Sequence, residues 1–157
     1  MFAAQLRRLR GEAEATEELA VESLALADAH GLSLFAAVDG MLRGWAQVEQ
    51  GRFDAGIAGL RRSLDAYRAI GADSGLPQYF ALLAEGHARA GQRAEALEAV
   101  RQALEIMERT DERWWEADLH RLHGELLRAT SSSDADVEAC FQRAIGVARE
   151  RRARTLE

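Results

Sequence analysis

Three residues in the last third of the chain carry the pattern nearest to chemistry. Glu116, His120 and His123 stand at i, i+4 and i+7, so on a helix they share one face and would offer a metal ion two imidazoles and a carboxylate. The same spacing puts both histidines where a helix packs against its neighbours. There, partly buried and hydrogen-bonded imidazoles are expected, with no metal and no cofactor. The lone Cys140, beside Ala139, Phe141 and Ala144, reads as a small packed thiol rather than a nucleophile, and one cysteine excludes an internal disulfide. Ser23, Ser63 and Ser74 have no base at motif spacing, and a chain without lysine cannot complete a phosphate-binding loop. Hence no catalytic residue is assigned and the chain is not expected to be an enzyme. Carboxylate pairs such as Glu17 and Glu18 read as solvated helix faces, and His30, before Gly31, as a helix C-terminal residue beside the dipole.

The elements that must position these side chains are helical. Of the 157 residues 48% are apolar, proline occurs once, at Pro77, and Ala, Leu, Glu and Arg dominate, a composition that favours helix nearly throughout. The net charge of −6, with Arg and Glu interspersed, disfavours direct nucleic-acid binding; only Arg149, Arg151, Arg152 and Arg154 form a basic cluster. No apolar run approaches the roughly 18 residues of a membrane span and no leader pattern opens the chain, so a cytoplasmic location without membrane contact is expected. All 20 basic residues are arginine and asparagine is absent, which reads as the codon usage of a GC-rich bacterial genome.

A period of 40 residues organises the sequence. Gly11, Gly51 and Gly91 repeat at that interval, as do Ala4, Gly44, Ala84 and Gly124, and Phe2, Leu42, Leu82 and Leu122. Leu24, Leu64 and Leu104 follow, marking Leu104 as a core position, and Ile145 arrives one residue late because the fourth hairpin turns through Thr130 to Asp134. Within each period two apolar stripes of helical spacing flank a glycine, the signature of helix, tight turn, helix. The expected helices are 1–10, 12–30, 34–50, 52–70, 75–91, 92–110, 112–130 and 134–152, in repeats 1–31, 32–71, 72–111 and 112–153. Gly91 is assigned the left-handed turn and Gly75 only a helix start, so Gly91→Val is expected to cost more than Gly75→Val. Asp134 is the expected N-cap of the last helix. Gly44, Ala84 and Gly124 are the small residues that let paired helices approach.

The third repeat, Pro77 to Met107, resembles a tetratricopeptide repeat: Phe80, Leu83, Ala84, His87, Gly91, Ala96, Val100 and Ala103 fall on signature positions, His87 replacing an aromatic. The second repeat keeps Gly44, Gly51, Leu60 and Ser63 but has Gly40 and Gln47 at bulky positions; the fourth keeps Gly124, Phe141 and Ala144. The 40-residue period, and stretches such as Leu42 to Ala46, Leu60 to Tyr67 and Glu116 to Leu127, are similar to the long-helix repeats in the C-terminal sensor regions of bacterial signalling ATPases, including maltose-regulator-type activators and ATPase-linked adenylate cyclases. The resemblance implies an all-α, right-handed superhelical array of antiparallel hairpins with about eight helices. Residues 1–10 match 41–50, and 154–157 match the start of a further leading helix, so a piece of a larger protein is expected.

In such arrays the leading helix of each repeat lines a groove. The groove positions carried over are Val38, Met41, Trp45 and Val48, then Gln78, Glu85 and Arg89 with Ala81 and Ala88, then Asp118, Arg121, Glu125 and Arg128. An apolar, aromatic end and a charged end would suit a peptide or protein partner; the competing reading has Trp45 packed against a neighbouring repeat. Trp114 and Trp115 open a helix, one stapling it to the previous repeat and the other partly exposed. The function implied is a protein-, peptide- or effector-binding scaffold in a signalling or transcription-regulatory protein. The alternative is a structural module that forms homo-oligomers without a separate ligand.

Overall fold

In the computed structural model the backbone is described for residues 1–130 and 133–155 and the side chains for the same residues up to 152. Ser131 and Ser132 of the expected linker, the Arg154 side chain, and Leu156 and Glu157 of the expected further repeat lie outside the described residues. Eight helices and no strand occur among those described: α1 (Phe2–Leu9), α2 (Ala13–Ala29), α3 (Ser33–Glu49), α4 (Phe53–Ala69), α5 (Leu76–Arg89), α6 (Arg93–Thr110), α7 (Glu116–Ala129) and α8 (Asp134–Thr155). They follow the expected spans closely, except that α7 starts at Glu116 because residues 111–115 form a turn, and α8 runs on to Thr155.

Two compact units divide the chain, Met1–Ser74 with α1 to α4 and Gly75–Glu157 with α5 to α8. In each, consecutive helices pack as antiparallel neighbours, and the leading helices also touch: α1 against α3 in the first unit, α5 against α7 in the second.

One left-handed residue closes most of the helix ends. At the end of α3, Gly51 adopts φ +80°, its N–H donates to the Val48 carbonyl at 3.0 Å, and the Arg52 N–H reaches the Gln47 carbonyl at 2.8 Å. This double bond satisfies carbonyls the helix leaves orphaned and turns the chain back. The same exchange recurs at Gly11, Gly31, Gly71 and Gly91. Forty residues after Gly71 the position falls to Asp111, at φ 54°, a side-chain type that tolerates the left-handed region. Gly75 departs from expectation: it is a left-handed N-cap at φ +79°, and its N–H donates to both Glu112 oxygens at 2.9 and 2.8 Å. A carboxylate from the turn before α7 therefore caps α5. The N-cap of α8 is also corrected, from Asp134 to Ser133, whose Oγ accepts from the Asp136 N–H at 3.2 Å and donates to the Asp136 carboxylate at 2.7 Å. The Ser133 hydroxyl thus caps the N-terminus of α8 and is itself held by the Asp136 carboxylate.

Packing follows the small residues. A Cβ placed on Gly44 would lie 2.9 Å from the Gly56 carbonyl and from Leu60, and one on Gly56 would lie 2.7 Å from the Gly44 carbonyl, so α3 and α4 meet backbone to backbone. Gly40, unusual for the repeat type, faces Ser63 for the same reason. In the second unit Phe80, Leu83, Ala84, His87, Ala96, Val100 and Ala103 are all buried, as the signature implies. His87 takes the aromatic's place by bonding Gln92 Oε1 through Nδ1 at 2.5 Å. Glu17 is corrected from solvated face to junction: it accepts from Gln50 at 2.9 Å, Gln47 at 3.3 Å and Arg52. Burial pushes its pKa up, but the bonds from Arg52, Gln50 and Gln47 outweigh that and hold it below the usual value. Glu18 does remain exposed.

Two stability orders follow. Met107 is fully buried whereas Leu104 is only half-buried, so Met107→Ala should cost about 2–5 kcal/mol and Leu104→Ala distinctly less in urea unfolding. Gly75→Ala should cost at least as much as Gly91→Ala, the reverse of the order read from sequence. Both are left-handed, but only at Gly75 does a Cβ crowd another group, the Tyr79 ring at 3.3 Å. A clearly smaller shift in the Gly75 midpoint would contradict that geometry.

Candidate functional site

The groove positions inferred from sequence separate by environment. Val38, Met41, Trp45 and Val48 on α3 are all buried, at 8, 0, 7 and 2% exposure, and the Arg8 guanidinium lies 5.9 Å from the centroid of the Trp45 ring. The expected open apolar groove end is therefore corrected: these four side chains are covered, because α3 buries ten of its 17 residues. Gln78 on α5 is buried too, and its Nε2 has no hydrogen-bond partner among the described residues.

The charged positions behave differently. Arg89, Asp118, Arg121 and Arg128 are exposed, and Glu85 and Glu125 partly so. Arg121 donates to Glu125 Oε1 at 2.8 Å and lies 3.8 Å from Asp118 on its own helix. Burial would lower the Arg121 pKa, but the bond to Glu125 and the charges of Glu125, Asp118 and Glu85 raise it above the ordinary value. The Glu85 contribution comes from α5, so the two leading helices of the second unit share one polar field. Its ion pairs are solvent-facing and each is worth about 0.2–1 kcal/mol. They fix side-chain positions more than they stabilise the fold.

The expected eight helices in antiparallel hairpins are present among the described residues, and solved structures share the fold. RapI, in its apo form, superposes with a TM-score of 0.78 and 19% identity over 94% of this chain and 52% of its own. PlcR of Bacillus thuringiensis, solved in complex with the peptide PapR7 and DNA, gives 0.68 and 18% over 88% of this chain and 59% of its own. The fold is a tetratricopeptide-like helical repeat. This chain spans about half the length of RapI. No protein-family model matches the sequence, and no curated protein does.

The candidate metal trio is not brought together. Glu116 is buried and accepts from Arg143 Nη2 at 3.0 Å and Arg113 Nη1 at 3.4 Å, so its oxygens serve a junction between α7, α8 and the preceding turn. His123 faces α8, its Nδ1 3.6 Å from the Cys140 sulfur. Cys140 is half-exposed rather than packed away, and burial, with a smaller effect from Asp136, pushes its thiol pKa up, which keeps it a protonated, weak nucleophile. His30 is the C-cap of α2 as expected. Trp115 is the half-buried N-cap of α7, and Trp114 is the exposed tryptophan.

One buried polar group escaped sequence reading. Asp39, fully buried on α3, accepts from Ser23 Oγ at 2.5 Å and lies 3.2 Å from the Met1 ammonium. An acidic residue on the apolar face of a helix was the available signal, since such a group requires a partner.

The histidines give a pH test. Burial holds both His120 and His123 below the ordinary value of about 6.5; at His120, Arg143 and His123 add to the lowering while Glu116 opposes it. The unfolded chain then binds protons first, so stability should fall as pH drops through about 6.5 and stop falling below the folded values. Urea midpoints measured across that window should show the slope in the parent chain and a smaller one in a His120→Gln, His123→Gln variant.

Proposed function

We propose that this chain is a peptide- or protein-binding scaffold within a regulatory protein of the bacterial signalling or transcription-control kind. Its binding face is the polar surface of α5 and α7. The observation that carries the reading is the run of exposed or partly exposed charges on adjoining leading helices: Glu85 and Arg89 on one, Asp118, Arg121, Glu125 and Arg128 on the other. Alternating signs at helical spacing select a partner by register and orientation rather than by net charge. PlcR, of the same fold, is a protein solved with a peptide bound, which supports the class of ligand. No catalysis is proposed, since the groups with catalytic potential, Glu116 and His123, are engaged with Arg113, Arg143 and Cys140.

With the α3 quartet buried, Trp45 is not the anchor of this reading. Affinity then rests on charge-assisted hydrogen bonds and should be modest and salt-sensitive. The test is selection from a displayed library of short peptides against the chain, counter-selected with an Arg121→Ala, Arg128→Ala variant. Selected peptides should bind the variant about 3- to 30-fold more weakly, as expected of two exposed ion pairs, and lose most affinity in high salt. Peptides that bind parent and variant equally would move the site off α5 and α7.

A further inference from the structure

The second repeat departs from the third on one face of α3. Gly40, Arg43, Gly44 and Gln47 hold the register that Phe80, Leu83, Ala84 and His87 hold one period later, and those four are buried on α5. Where α5 places a phenylalanine and a leucine, α3 has a glycine and an exposed arginine. A hollow of about 180 Å³ opens at these positions, walled by α3 with Leu24 of α2 and Arg62 and Ser63 of α4. The α3 residues stand at i, i+3, i+4 and i+7, while Arg62 and Ser63 follow Gly59, which also lines the space, by three and four residues. Thus α3 and α4 each present a single face to it.

The polar groups of the hollow are short of partners. Arg62 is exposed and Ser63 half-buried, and neither side chain bonds to another described residue. A Cβ on Gly40 would meet the Ser63 hydroxyl, so glycine is what leaves that hydroxyl room between the two helices. Arg43 lies 4.0 Å from Glu17, but that carboxylate already accepts from Gln47, Gln50 and Arg52. Two cations and a hydroxyl donor therefore line one small space beside Leu24 and Ala36, which are both half-buried.

We propose that this hollow binds a small organic acid, with its carboxylate taken by Arg43, Arg62 and the Ser63 hydroxyl and its short apolar body laid against Leu24 and Ala36. A bare inorganic anion would leave those two apolar side chains wet, and an uncharged apolar molecule would leave the arginines and the hydroxyl unanswered. The volume suits a body about the size of a benzene ring, which a closed cavity of about 150 Å³ admits. The site belongs to α2, α3 and α4 of the first unit and shares no residue with the α5 and α7 face. Either reading survives failure of the other.

Benzoate is the probe, titrated into the chain at low salt while backbone amide shifts are followed by nuclear magnetic resonance. It should bind saturably, in the millimolar range for so few atoms, and shift the Gly40, Gly44 and Gly59 amides most. Benzamide, of the same shape without the charge, should bind about tenfold more weakly or worse, and so should inorganic sulfate, which lacks the apolar body. Arg43→Gln with Arg62→Gln should weaken benzoate by about tenfold, an effect that high salt reproduces in the parent chain. Gly59→Leu should do the same by filling the space. A Cβ at Gly59 meets only ordinary contacts, the nearest being the Gly44 Cα at 3.6 Å, and circular dichroism checks that both variants keep their helices. Benzoate shifts that never saturate or that centre elsewhere, benzamide or sulfate binding as well as benzoate, or unchanged affinity in either folded variant overturns the proposal. So does tighter binding of an acetylated dipeptide ending in a free phenylalanine carboxylate, which would make the ligand a chain end instead of a free acid.

Discussion

Within each unit the chain reverses direction about every twenty residues, and most of these reversals hang on one backbone in the left-handed region. Gly11, Gly31, Gly51, Gly71, Gly91 and Asp111 all hold it. With the reversals set, alternate helices become leading helices, and α1 meets α3 and α5 meets α7 along their flanks. Everything that distinguishes one hairpin from another is then left to side chains. Because a β-carbon resists positive φ, five of the six positions are glycine; at the sixth Asp111 stands in a turn that also holds Glu112, whose carboxylate caps α5. One turn thus closes a hairpin and fixes the start of another helix in the same unit.

The hairpins solve the problem of close approach in different ways. Between α3 and α4, Gly44 and Gly56 bring backbones together, and the surrounding side chains fill in over a face where ten residues of α3 are buried. Between α7 and α8, a Cβ placed on Gly124 would lie 3.2 Å from Cys140 and Phe141, and polar groups complete the seam: His123 with Cys140, Glu116 with Arg143. An apolar seam excludes water and is indifferent to pH. The polar seam lies beside His120 and His123, whose pKa burial lowers, so the histidine pH test reads the second unit.

Much of this was legible in the sequence. Glycines at a fixed interval with apolar stripes between them give helix number, turn positions and the tetratricopeptide-like class, because those depend on local propensity and periodicity. What the pattern did not resolve was environment. Val38, Met41, Trp45 and Val48 occupy the same register as Asp118, Arg121, Glu125 and Arg128, yet the first four are buried and the second four at least partly exposed. Register says which way a side chain leaves its helix; it does not say what lies there. The residue types carried the missing information, since four apolar side chains in that register are more economically read as covered. Gly75 was misread for a related reason: its role depends on Glu112, and a cap is visible only with its partner. Glu17 and Asp39 are the same lesson in carboxylates, each defined by donors on another helix.

The contrast between the two leading-helix faces also bears on how such a fold acquires function. A backbone repeated every 40 residues offers the same scaffold at α3 and at α7, so recognition cannot come from the fold. It comes from the few positions where packing makes no demand. On α3 packing has claimed nearly all of them, with Arg8 laid over Trp45. On α7 it has not, and there the side chains are ionic: Arg121 shares Glu125 and Asp118 and feels Glu85 on α5. An arginine already surrounded by three carboxylates costs little to reorganise toward a fourth, because the incoming group replaces one acceptor with another instead of stripping water from a bare cation. In the proposed binding reading, the internal pairs would hold the guanidinium in place before a ligand arrives and would be the contacts it displaces.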